Sequence, residues 1–200
     1  MTKTLEFIFD FGSPNAYLAY KALPPILART GAGLRIVPCL LGGIFKATGN
    51  QPPLMAYSHV PAKLAYTQLE IRRFIEKHAL TAFKLNPNFP VNTLMLMRGA
   101  IAAEADGRLE DYIEAGLKLM WEDGLKMDDQ DVFAKAMTAA GFDGPALLER
   151  IQDPAVKARL AENTQDAVER GVFGVPSFFV GDDLYFGKDR LAEVEERLSA

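Results

Sequence analysis

Strand-like patterning is confined to the two ends of this chain, and the long stretch between them is helical in period. Leu5 to Phe9 alternate and are rich in aromatics, and Gly12-Ser13-Pro14 then breaks the pattern, so a strand is expected to end near Asp10. Ala16, Leu18, Ala19, Ala22, Leu23, Ile26 and Leu27 follow at helical spacing. Leu34 to Pro38 reads as a second strand, which makes a parallel crossover with the first. From about Pro61 to Gly171 no strand pattern occurs. That stretch carries helix patterns at Ala62–His78, Thr93–Ala105, Leu109–Asp123, Asp131–Ala140 and Ala155–Arg170. Strand character returns at Ser177–Val180 and Leu184–Phe186, joined by a Gly181-Asp182-Asp183 turn, and a last helix is expected from about Asp189 to Leu198.

The sheet must therefore be assembled from strands at opposite ends of the chain. That pattern is α/β: a thioredoxin-like fold interrupted by an all-helical insertion. Residues 1–40 and 165–200 are assigned to the thioredoxin-like part and 41–164 to the insertion. Three local expectations follow. Pro24-Pro25 should kink the first helix or end it early. Gly42 to Pro53, rich in Gly, Pro and Asn, should be a loop, and Gly141-Phe142-Asp143-Gly144 should stop a helix.

Composition narrows the function. The 200 residues are 49% hydrophobic, with 26 acids against 22 bases. Such a chain buries roughly 70% of its unfolded surface, and disorder would need fewer apolar residues and more net charge. With no basic stripe, nucleic acid is not an expected partner. No stretch approaches the roughly 20 apolar residues that span a bilayer, and Glu6 and Asp10 interrupt the apolar run near the start, so neither a membrane nor a secretory signal is expected. One cysteine, Cys39, allows neither an internal disulfide nor a Cys-x-x-Cys redox pair, so a reducing cytoplasm is the expected address. Cys39 itself reads as a buried small apolar residue. His59 and His78 lack metal-ligand spacing, so no metal site is expected. Trp121, Met95, Met97 and Met120 lie on helical patterns and read as core.

Several constellations remain. Ser13, just before Pro14 at a helix start, is a good N-cap. A hydroxyl that caps through its lone pairs can still donate its proton outward. In thioredoxin-like proteins this place holds the reactive cysteine. Serine there cannot exchange disulfides, but it can hydrogen-bond a thiolate brought by a cofactor. One charge-assisted hydrogen bond contributes ~1.5–3 kcal/mol and a helix N-terminus ~0.3–1 kcal/mol. Together these would lower a thiol pKa by about one to three units, enough to make the thiolate the main species.

Gly171-Val172-Phe173-Gly174-Val175-Pro176-Ser177 enters a strand through a proline, where the backbone of Val175 would pair with a peptide-like ligand. Gly187-Lys188-Asp189-Arg190 opens the last helix. Asp189 is either its N-cap or the partner of a ligand amine, with a ligand carboxylate on the neighbouring N–H groups. Asn50, in Gly49–Pro53, and Lys63, near a helix start, could hold a second carboxylate, although most lone lysines in such a place are simply solvated. In Leu85–Thr93, Asn92 is the expected N-cap of the following helix, while Asn86 has no equally simple structural reason.

Taken together, Asp10–Pro14, Asn86–Leu94, Gly171–Pro176 and Gly187–Leu191 resemble the 2-hydroxychromene-2-carboxylate isomerase family, related to the kappa-class glutathione transferases and the DsbA-like oxidoreductases. The resemblance runs through nearly the whole chain. It implies a glutathione cofactor, a small aromatic carboxylic acid substrate and a homodimer. By position, Ser13 would activate the glutathione thiol, and Val175, before a cis Pro176, would pair with the cysteinyl backbone. Asp189 and the N–H groups beside it, Arg190 included, would hold the γ-glutamyl end. Asn50 and Lys63 would lie near the glycyl end or the substrate, and Asn86 and Pro87 would border the substrate. Lys188 departs from a neutral, glutamine-like residue. The implied activity is cis–trans isomerisation. The alternatives are a kappa-like transferase that forms conjugates, or a non-catalytic DsbA-like binding module.

Overall fold

The computed structural model describes residues 3–200. Strand β1 (Thr4–Phe9) leads into helix α1 (Pro14–Thr30), and the chain returns through β2 (Gly33–Pro38). The helical block comprises α2 (Leu41–Thr48), α3 (Pro53–Ala56), α4 (Pro61–His78), α5 (Leu94–Ala105), α6 (Leu109–Trp121), α7 (Gln130–Ala139), α8 (Gly144–Arg150) and α9 (Pro154–Glu169). The hairpin β3 (Ser177–Val180) and β4 (Asp183–Phe186), a 3₁₀ turn over Lys188–Arg190 and α10 (Leu191–Ser199) complete the chain.

The four strands lie in the order β2-β1-β3-β4. β1 and β2 are parallel, with Phe7 opposite Ile36, whereas β3 runs antiparallel to β1 with Phe178 opposite Phe7. Strands from the two ends of the chain thus share one sheet, as a thioredoxin-like fold with a helical insertion requires. The expected division at residues 164 and 165 falls inside α9.

Alternation along β1 builds a core on each face of the sheet. Leu5, Phe7 and Phe9 point into the larger cluster, where the rings of Phe7 and Phe178 stack 5.2 Å apart. That cluster continues without a break into Leu96, Met97, Leu117, Met120 and Trp121 of the helical block. Ile8 points the other way and joins Cys39, Ile44, Val172, Val175 and Phe179. Met95 is only partly buried at the edge of the larger cluster.

Several expectations need correction. Helix α1 runs unbroken through Pro24 and Pro25 to Thr30. Both prolines are exposed while Ala22, Leu23 and Ile26 are buried, so the two rings lie on the solvent side and the apolar face stays intact. The segment expected to be a loop from Gly42 to Pro53 instead holds most of α2, because Ile44 anchors it in the smaller core and Gly49, at φ 68°, ends it. The stop expected at Gly141–Gly144 is met, since α7 ends at Ala139 and Gly141 follows at φ 86°, but Gly144 also begins a helix that was not expected, α8, whose N-terminus is capped by Asp143 through the N–H of Ala146. Thr93, not Asn92, sits at the α5 N-cap; Asn92 Oδ1 accepts from Leu94 N–H at 3.0 Å instead. Among the described residues, no helix is long and apolar enough to cross a membrane.

Candidate active site

Ser13 caps α1, its Oγ accepting from the N–H of Ala16 at 3.2 Å. The same hydroxyl donates to the carbonyl of Val175 at 3.1 Å. Both roles assigned to Ser13 therefore draw on one oxygen, and its proton is directed at the loop before β3. The Val175–Pro176 peptide bond is cis. Among the described residues, the Val175 N–H meets no acceptor. Ser13 is 6% and Val175 7% exposed, so both stand at the edge of the core.

The turn carrying Ser13 is held from beneath. Asp10 is wholly buried, and its Oδ1 accepts from Gly12 N–H at 2.7 Å and from the Thr93 hydroxyl at 2.6 Å. Its Oδ2 accepts from Leu41 N–H at 2.7 Å. Burial raises the Asp10 carboxyl above its ordinary value, while the bonds from Thr93, Gly12 and Leu41 pull it back down. A fourth tie comes from the helical block, where the Trp121 indole N–H donates to Phe11 O at 2.9 Å.

The remaining expected residues fall into two groups. Gly187 N–H donates to Pro176 O at 2.9 Å, which brings the Lys188–Arg190 turn beside the proline. Asp189 does not cap α10; its half-exposed carboxylate accepts from Lys188 Nζ at 2.5 Å. Lys188 is only 4% exposed and its ammonium lies 5.1 Å from the Phe74 ring centroid. Arg190 pairs along the surface with Glu193. Asn50 follows α2, and its amide donates to Phe173 O at 2.8 Å, which ties it to the same loop as Val175.

Lys63 and Asn86 make their contacts with other residues. Lys63 Nζ lies over the Tyr57 ring, 3.2 Å from its centroid. Asn86 is buried, and its amide nitrogen donates to Met120 O at 2.8 Å and Leu125 O at 2.9 Å. Its oxygen accepts from Asn88 N–H at 2.8 Å, so the side chain holds the loop to the end of α6 and has no free donor. Pro87 packs against Gly124.

Sequence reasoning missed Asp10, Thr93 and Leu41 as partners of the Ser13 turn. The signal was present in part: an acid between two phenylalanines at the end of a buried strand has to find donors. It also missed the exposed pair Phe173 and Phe186, whose rings lie 4.5 Å apart beside Val175. A cavity of about 530 Å³ between the β2 edge and the α5–α6 connection, lined by Arg35, Glu104 and Arg108 among others, contains none of the expected site residues. Among the described residues, no group of three or more His, Cys, Asp or Glu side chains is placed to hold a metal ion.

A hydroxyl at a helix N-terminus, facing a proline loop with an uncommitted N–H, is equipped to hold a thiolate and the peptide unit that carries it. Comparison with known proteins agrees with this architecture. The DSBA-like thioredoxin domain family matches residues 4–199. The 2-hydroxychromene-2-carboxylate isomerase of Sphingobium xenophagum is 30% identical over 200 residues, covering 99% of each chain. Glutathione S-transferase kappa 1 of Rattus norvegicus is 29% identical over 202 residues, covering 94% of this chain and 88% of the relative. A solved structure of 2-hydroxychromene-2-carboxylate isomerase superposes with a TM-score of 0.81 at 27% identity, covering 96% of this chain and 93% of that one. The chain belongs to the DsbA-like thioredoxin family, on the branch that holds the 2-hydroxychromene-2-carboxylate isomerases.

Proposed function

We propose that this protein is a glutathione-dependent cis–trans isomerase of 2-hydroxychromene-2-carboxylate-like aromatic acids. The observation that carries the reading is the Ser13 hydroxyl, aimed from the α1 N-terminus at the loop whose Val175 N–H is free to take a ligand carbonyl. Its relatives of isomerase name support the reaction class.

When bound, glutathione would supply a thiol that is a nucleophile and also a good leaving group, the chemistry that a reversible cis–trans isomerisation needs. Ser13 holds the sulfur in its ionised form. Its proton turns from a neutral acceptor, the Val175 carbonyl, to a charged one, which exchanges a bond of about 0.5–1.5 kcal/mol for one of about 1.5–3 kcal/mol. Val175 then pairs through its backbone with the cysteinyl unit. Asp189 takes the γ-glutamyl amine, and the N–H groups of the Asp189–Arg190 turn take its carboxylate. Asn50 and Lys63 face the glycyl end or the substrate carboxylate. Asn86 and Pro87 border the substrate through the shape of their loop, since the Asn86 amide is spent internally. The working unit is a homodimer in a reducing cytoplasm.

The kappa-type relative supports a second reading, in which glutathione is consumed by conjugation. Accumulation of a conjugate with stoichiometric thiol loss would favour it. The deciding test is titration calorimetry with reduced glutathione on the wild type and Ser13→Ala, with thiolate absorbance recorded in parallel. Binding with an ionised sulfur that Ser13→Ala lacks is expected. Absence of binding at millimolar glutathione would overturn the reading and leave a non-catalytic module.

A further inference from the structure

Asp10 is a costly residue for a fold to keep. A buried carboxylate pays desolvation that apolar packing would avoid, so its presence is weak evidence of a role in stability alone. Its three partners do not come from one place. Gly12 belongs to the turn that carries Ser13, Leu41 is the first residue of α2, and Thr93 stands at the α5 N-cap. Neither α2 nor α5 has a side-chain cap of its own. A methyl group on Gly12 would stand 3.3 Å from Asp10 Oδ1 and 3.4 Å from the Thr93 hydroxyl, so the turn closes tightly on this pair.

Both carboxylate oxygens are committed to donors. Oδ1 faces the N–H of Gly12 and the hydroxyl of Thr93, and Oδ2 faces the N–H of Leu41. An amide in this place would turn its own N–H₂ against one of two obligate backbone donors. The site is therefore built for a carboxylate.

We propose that Asp10 is the positioning residue of the thiolate site: by drawing Gly12, Leu41 and Thr93 onto one carboxylate it sets the turn that aims the Ser13 hydroxyl, and it joins that turn to the α2 and α5 N-termini. The proposal rests on the reading of Ser13 as the thiolate partner. Asp10 touches neither cofactor nor substrate. It acts on the sulfur through the orientation of Ser13, and α2, which it anchors, leads to Asn50.

The test removes one donor at a time and leaves Asp10 and Ser13 in place. Thr93→Val keeps the shape and loses the hydroxyl, and Thr93→Ser restores it. Leu41→Pro removes the N–H at the first position of α2, together with part of a half-buried apolar side chain, where proline is tolerated and the preceding Leu40 is already extended at φ −85°, ψ 109°. Each folded variant is titrated with reduced glutathione while thiolate absorbance is read. Affinity should stay within about threefold, because its contacts lie elsewhere, while the ionised fraction of bound sulfur falls several-fold and turnover falls by roughly 10–100-fold, the scale of a misplaced reacting group. Thr93→Ser should recover both. A lowered melting temperature with an unchanged thiolate signal in Thr93→Val and Leu41→Pro would overturn the proposal and leave Asp10 a structural residue. If the wild type itself binds glutathione without ionising it, the reading of Ser13 fails and this proposal with it.

Discussion

The hydroxyl of Ser13 reaches across 162 positions of sequence to the carbonyl of Val175, 3.1 Å away. This bond joins the N-terminus of α1 to the loop that enters β3, and it gives the hydroxyl proton a resting place in the ligand-free protein. Ser13→Ala removes that bond and the α1 cap together. Stability should fall by about 1–2 kcal/mol, read as a shift in urea midpoint. Turnover should fall by roughly 10²–10³-fold, as when one preorganised donor is lost. A stability loss with an unchanged rate would leave Ser13 a cap and nothing more.

Asp189 shares its carboxylate with buried Lys188. Asp189→Ala should weaken glutathione binding by about tenfold, or ~1.4 kcal/mol, while the ionised fraction of bound thiol stays the same. Lys188→Gln should act in the opposite direction, since it releases the carboxylate for the ligand amine. Calorimetry on the two variants separates the effects, and equal losses in both would contradict the assignment of Asp189.

Cys39 is fully buried, and its S–H donates to Asn163 O at 3.3 Å. Burial, with smaller contributions from Asp10 and Asp166, pushes its thiol up to about 12 from an ordinary 9.0. The native state thus holds this proton more tightly than the unfolded chain. The stability this contributes is fully present below about 9 and is lost as pH climbs toward 12. Cys39 should stay unmodified by thiol reagents at mildly alkaline pH and react at once in denaturant. Rapid labelling of the folded protein would contradict the burial.

Asn86→Ala should act on stability before it acts on catalysis. The buried carbonyl of Met120 and the partly buried one of Leu125 would lose their donor, and the Asn88 N–H its acceptor. The expected cost is about 2–4 kcal/mol. Glutathione affinity below the transition should be unchanged.

Gly116 lies against the ring of Phe11, which a methyl group there would overlap. Gly116→Ala should cost about 1–3 kcal/mol by overpacking and displace the residue next to the Ser13 turn. The thermal midpoint measures the first effect and bound-thiolate absorbance the second.

Much of this protein was legible in its sequence because its signals are local. The periods of β1, α1, α4, α5, α6 and α9 stand out since each buries one face, and apart from α1, which runs on past Pro24-Pro25 to Thr30, the expected ends differ from the observed ones by a residue or two. Ser13-Pro14 marks a helix start through chemistry that acts within three residues, whereas the Asp143 cap of α8 went unread because Gly141 and Gly144 around it signal a stop. The helix α2 was hidden because Gly42, Gly43 and Gly49 read as loop, while its one buried residue, Ile44, finds its core only in three dimensions.

What the sequence by itself determined is most of the elements, α2, α3 and α8 excepted, and the fold they build. All of these follow from hydrophobic period, capping and turn residues that act over a few positions. Only the tertiary structure decided where the polar groups spend their bonds. Ser13 meets Val175, Asp10 gathers Gly12, Leu41 and Thr93, Lys188 occupies Asp189, and Asn86 closes on α6. The physical reason is that a buried donor or acceptor must be satisfied, and its partner is whichever group the packed fold brings within about 3 Å, at any distance along the chain.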